Sequence, residues 1–113
     1  MKIINKENKI LKGELKLMSE NSFGDLVKAV VDIENEIMAV DAELHADQEK
    51  VLIENGSKQE NLWGINLYPD DTEDFIEFDS MINLRPSWGN LSRGVDDENI
   101  QDKIIKIVNN LVD

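Results

Sequence analysis

Cysteine is absent from this chain of 113 residues, which excludes disulfides, thiol nucleophiles and thiolate zinc sites. Histidine occurs once, at His45, and no G-x-S-x-G or other nucleophile signature accompanies Ser57, Ser80, Ser87 or Ser92, so no triad can be assembled on paper. There is no G-x-x-x-x-G-K-[ST] loop and no G-x-G-x-x-G, which leaves nucleotide triphosphate and dinucleotide chemistry without support. No cofactor is expected. No segment approaches the roughly 20 apolar residues of a membrane span, and Met1–Glu7 lacks the apolar region of a secretory signal. The expectation is therefore a soluble, cytoplasmic protein. Arginine is the other scarce residue: only Arg85 and Arg93 occur, and both fall in Arg85-Pro86-Ser87-Trp88-Gly89-Asn90-Leu91-Ser92-Arg93.

What the chain has in excess is negative charge. Twenty-four Asp and Glu face twelve Lys and Arg, a net charge of -12. Such a surface repels a nucleic-acid backbone or an anionic membrane over about a Debye length, roughly 8 to 10 Å. With 41% hydrophobic residues in a patterned, non-repetitive order, the chain can nonetheless fold. Its length matches one domain, residues 1–113.

The apolar period predicts an α+β protein with the order α-ββ-α-ββ-α. Leu11, Leu15 and Met18 mark a first helix, ended by Asn21–Asp25 with Gly24, while Met1–Ile4 can add a short extra strand. Val27, Ala29, Val31 and Ile33 alternate with more polar neighbours, and Ile37 to Leu44 forms the second arm of a hairpin. Val51, Leu52 and Ile53 lie on a helix that Gly56 ends. Leu62 to Tyr68 and Phe75 to Leu84 flank the turn Pro69-Asp70-Asp71-Thr72. The last helix carries the stripe Ile100, Ile104, Ile107, Val108 and Leu111, with Asp96 as its N-cap. The simplest assembly is a four-stranded, mostly antiparallel sheet with helices on one face, Ile76, Phe78, Ile82 and Leu84 lying beneath the last helix.

Phe23-Gly24-Asp25, Val27–Glu34, Glu43-Leu44-His45-Ala46-Asp47, Gly56-Ser57-Lys58-Gln59, Leu62–Pro69 and Ile82–Ser87 also carry a likeness. Over nearly its whole length the chain resembles a family of small prokaryotic proteins known only as a domain of unknown function. The resemblance implies a stand-alone domain and brings no catalytic residue with it.

Two constellations carry chemistry. In the first, Arg85, Ser87, Asn90, Ser92 and Arg93 offer hydrogen-bond donors suited to a phosphate or carboxylate, on a small molecule or on a partner protein. Pro86 shapes the segment, Gly89 and Gly94 allow close approach, and Trp88 can stack on a ligand or cover a sheet edge. The competing reading pairs both arginines with the chain's own carboxylates, of which Asp96, Asp97 and Glu98 are near in sequence. In the second, Asp41, Glu43 and His45 fall on one side of an extended segment, as a metal-dependent hydrolase or metal-binding protein would need. Alternate side chains on a straight strand are about 6.5 to 7 Å apart, however, so no closed metal shell is expected. Asp70, Asp71, Glu73 and Asp74 lack the glycine and terminal glutamate of an EF-hand and read as a solvated tip. A third possibility is an interaction module whose acidic surface meets a basic partner.

Overall fold

In the computed structural model, which describes all residues from Met1 to Asp113, three helices pack against one antiparallel sheet, the first through Leu15, the second through Leu52 and the third through a full apolar stripe. The order is β1 (Lys2–Ile4), α1 (Lys12–Glu20), β2 (Val27–Asp32), β3 (Ile37–Val40), α2 (His45–Glu54), β4 (Leu62–Leu67), β5 (Ile76–Glu77) and α3 (Glu98–Leu111). The sheet runs β1-β3-β2-β4-β5, with every pairing antiparallel. It therefore has five strands, where four were expected, because Lys2–Ile4 pairs with β3 through Ile3 and Ala39. β3 and β4 flank β2 and run parallel to each other, so β3, α2 and β4 form a crossover around it.

Side-chain alternation separates the two faces of the sheet. Val27, Ala29, Val31, Met38, Val40, Trp63, Ile65 and Leu67 meet Leu15 of α1 and Ile104, Ile107, Val108 and Leu111 of α3 in the main core. Val30, Ala39 and Leu62 point the other way, onto Leu52 of α2. The helices thus occupy both faces, not one. The reason is visible in β4, where all six residues are buried and no polar face is left for water. Removing a Leu or Ile side chain from water contributes about 1.5 to 3 kcal/mol, so four buried residues of the α3 stripe suffice to hold that helix down.

Local chemistry ends the elements. Gly24 and Gly56, with φ of +97° and +103°, follow α1 and α2 in the left-handed region. Asp97, not Asp96, caps α3, its carboxylate accepting the Asn99 amide at 2.8 Å. The predicted strand Phe75–Leu84 survives only as Ile76–Glu77, and the chain then makes 3₁₀ turns at Met81–Asn83 and Pro86–Trp88. Consequently Ile76 and Phe78 pack against the main core, but Ile82 joins the opposite cluster and Leu84 is exposed. No helix is long and apolar enough to cross a membrane.

Candidate functional site

Because β5 is two residues long, the outer edge of β4 from Leu62 to Ile65 has no neighbouring strand, and the segment Asp79–Gly94 covers it instead. Asn83 supplies the pairing: the Gly64 N–H donates to its Oδ1 at 2.8 Å, and its Nδ2 donates to the Gly64 carbonyl at 2.9 Å. A side chain at Gly64 would prevent this approach, since an added Cβ would lie 2.5 Å from Ser80 Cβ. Asn90 organises the rest of the loop. Its Nδ2 donates to the carbonyls of Asn83, Ser92 and Gly94, and its Oδ1 accepts the Asp96 amide at 2.9 Å.

This loop carries Arg85 into the protein, where it is 8% exposed. Its Nε donates to the Ile82 carbonyl at 2.8 Å and its Nη2 to the Leu62 carbonyl, while Glu49 of α2 lies 3.9 Å from Nη2. The guanidinium sits 4.7 Å from the Trp63 ring and 5.4 Å from that of Trp88. Burial opposes its charge and the Glu49 carboxylate supports it. Two buried donors here lack an acceptor, Arg85 Nη1 and Trp63 Nε1. Both residues line a cavity of about 420 Å³ together with Trp88, Asn90 and the acidic side chains Glu60, Asp96 and Asp97.

The five predicted anion-site residues do not converge. Arg85 and Asn90 border the same cavity, but Asn90 spends its carboxamide on the backbone. Ser87 is exposed, and the Ser92 hydroxyl donates to Asp96. Arg93 points elsewhere, ion-paired with Asp79 at 2.8 Å from its Nε to Oδ1. The two arginines thus face different cavities, because the Arg85–Asn90 backbone bridge folds the loop back between them.

The extended Asp41–His45 segment is also reshaped. β3 stops at Val40, Asp41 takes φ of +68°, and His45 begins α2. No group of three His, Asp or Glu side chains that could hold a metal ion forms there or elsewhere. His45 instead lies 8% exposed with Nε2 2.8 Å from the Ile65 carbonyl. A carbonyl can only accept, so Nε2 carries the proton and Nδ1 keeps the lone pair. Burial holds the imidazole below its ordinary value; the Ile65 hydrogen bond opposes this, and the Lys28 charge adds to it.

A second cleft of about 500 Å³ opens beside His45, lined among others by Lys28, Asn66, Tyr68, Asp79 and Arg93. The sequence reading passed over Lys28 and Asn66, although an asparagine inside the apolar run Leu62–Leu67 was a usable signal. Trp63 packs in the core and also lines the first cavity, and its buried indole nitrogen has no acceptor.

No curated protein and no solved structure matches the chain. A family model described as "Protein of unknown function (DUF5674)" matches residues 2–111. With all but three residues inside that match, the chain belongs to this family of proteins of unknown function.

Proposed function

We propose that the protein is a small binding domain whose ligand presents a carboxylate to Arg85 and Trp63. The observation that carries the reading is the pair of buried, acceptor-less donors, Arg85 Nη1 and Trp63 Nε1, on two stacked residues of one cavity wall. Leaving a buried donor unpaired costs about 1 to 3 kcal/mol, more for a charged group, so an acceptor with two oxygens is the natural complement. A cavity of about 420 Å³ lies within the size range of small-molecule sites.

The rest of the wall narrows the class. Glu60, Asp96 and Asp97 disfavour a phosphate dianion and favour a ligand that carries a cationic group beside its carboxylate. Trp63, Trp88 and Ile100 supply apolar surface. An α-amino acid with an aliphatic side chain, or a peptide C-terminus, has this combination. Trp88, 54% exposed on its 3₁₀ turn, can move to admit it.

Leucine, isocaproate, leucine amide and inorganic phosphate separate the contributions. The indole N–H resonance of Trp63 is expected to shift saturably with leucine and more weakly with isocaproate, and to ignore the amide and phosphate. Trp88→Ala is expected to weaken leucine binding about tenfold while the fold persists. If no carboxylate moves the Trp63 indole resonance, the reading fails.

A further inference from the structure

The second cleft lies on the α2 side of the sheet, where the N-terminus of α2 ends and leaves Lys28 and Asn66 uncovered by helix. It shares no lining residue with the Arg85 cavity, and Asp79, Ser80, Met81, Ile82 and Arg93 of the edge-covering segment contribute to it. Leu44, at the N-cap of α2, has no side chain able to cap, so the first-turn N–H groups of this ten-residue helix meet no side-chain acceptor. By contrast α3 is capped by Asp97.

Of the charged side chains in the cleft, Arg93 and Asp79 form an ion pair, and the Glu77 carboxylate is hydrogen-bonded only by neutral donors, Asn66 Nδ2 at 2.8 Å and the Tyr68 hydroxyl at 3.1 Å. Lys28 is the remaining cation; its ammonium meets no carboxylate and rests 5.0 Å from the Phe23 ring centre. Lys28 and the uncapped start of α2, whose first turn carries Asp47, border the same cleft.

The same cleft holds two acceptors. Asn66 is 7% exposed, and its Oδ1 has no donor. Rotating the carboxamide would not relieve this, because Oδ1 would then oppose the Glu77 carboxylate and the Asp79 carbonyl, which now receive Nδ2. His45, in the same wall, directs Nε2–H to Ile65 and so keeps the Nδ1 lone pair free. Two acceptors beside an uncapped helix start and Lys28 call for a molecule with a hydroxyl donor close to an oxyanion.

We propose that this cleft is a second ligand site, selective for a small hydroxylated oxyanion. The oxyanion meets the α2 N–H groups and Lys28, and a hydroxyl donates to Asn66 Oδ1 or His45 Nδ1. An α-hydroxy carboxylate and a polyol monophosphate share this chemistry.

Amide and side-chain NMR of the intact protein, titrated with glycolate, glycerophosphate, acetate, inorganic phosphate and glycerol, tests it. Glycolate or glycerophosphate is expected to shift the Ala46 amide, the Asn66 carboxamide and His45 Nδ1 together, binding about tenfold or more tightly than the matching anion without a hydroxyl. Response to glycolate alone makes the oxyanion a carboxylate, to glycerophosphate alone a phosphate, and either supports the site. Lys28→Gln, at a half-buried position, is expected to fold and to lose about tenfold in that affinity. Saturable binding by neither hydroxylated anion, equal binding of acetate or phosphate, or an unchanged affinity in Lys28→Gln would each overturn it. The Trp63 indole resonance, which reports the other cavity, is expected to stay still throughout.

Discussion

Asn83 and Gly64 pair as two strands would, with a side chain taking the place of a backbone: Gly64 gives its N–H to Asn83 Oδ1 and receives Nδ2 on its carbonyl. Both residues are buried, so water cannot replace either bond. Asn83→Ala orphans two backbone groups and is expected to lower stability by about 2 to 4 kcal/mol. Urea unfolding measures it; a loss well under 1 kcal/mol would mean that the edge of β4 finds other partners.

Gly64 itself is required by contact, not by backbone angle. Gly64→Ala places a methyl against Ser80 and is expected to destabilise by about 1 to 3 kcal/mol. Ser80→Gly in the same chain is expected to recover part of that loss. Additive losses in the double variant would show that the clash lies elsewhere.

Arg85 acts as a strut between the Leu62 and Ile82 carbonyls, with Glu49 behind it. Arg85→Ala strands the buried carbonyl of Leu62 and the Glu49 charge, and a loss of about 3 to 5 kcal/mol is expected. Lysine has neither the planar fork nor the stacking surface, so Arg85→Lys is expected to retain little of the stability. Near-ultraviolet circular dichroism of Trp63 and Trp88 should change in both variants. An unchanged spectrum would separate Arg85 from the two indoles.

Acid should weaken the protein in two stages. The folded value of His45 lies below 6.5, so the unfolded chain takes up this proton first. Stability is then complete above about pH 6.5 and falls as the pH drops through that value toward the folded one. Asp32 is also depressed: burial would raise it, but the Ser57 hydroxyl, Asn35 and the Glu34 amide together outweigh burial. Its contribution is present above 3.8 and lost as the pH falls below it. Denaturant midpoints across pH check both stages. His45→Gln should flatten the first and Ser57→Ala should shrink the second, and a first stage that persists without His45 would refute the assignment.

The α3 stripe, the glycine stops after α1 and α2, and the strand character of Val27–Asp32 were legible in the residues, because each depends on contacts within a few positions. The same local pattern misplaced Phe75–Leu84. Alternation shows which side chains share a face, and there it continued past the point where β5 leaves the sheet. It could not say what covers that face, so α2 was put on the wrong side although Val30 and Val31, adjacent in sequence, are both buried and must point to opposite faces. The candidate sites were less legible still. Arg85 and Arg93 are eight positions apart, yet the turn at Gly89, with φ of +83°, and the bonds of Asn90 send them to separate cavities. Sequence by itself determined which residues could bury and which could donate. Tertiary structure alone decided which donors were left without acceptors, because that depends on how carbonyls about twenty residues away, such as that of Leu62, are brought to one guanidinium.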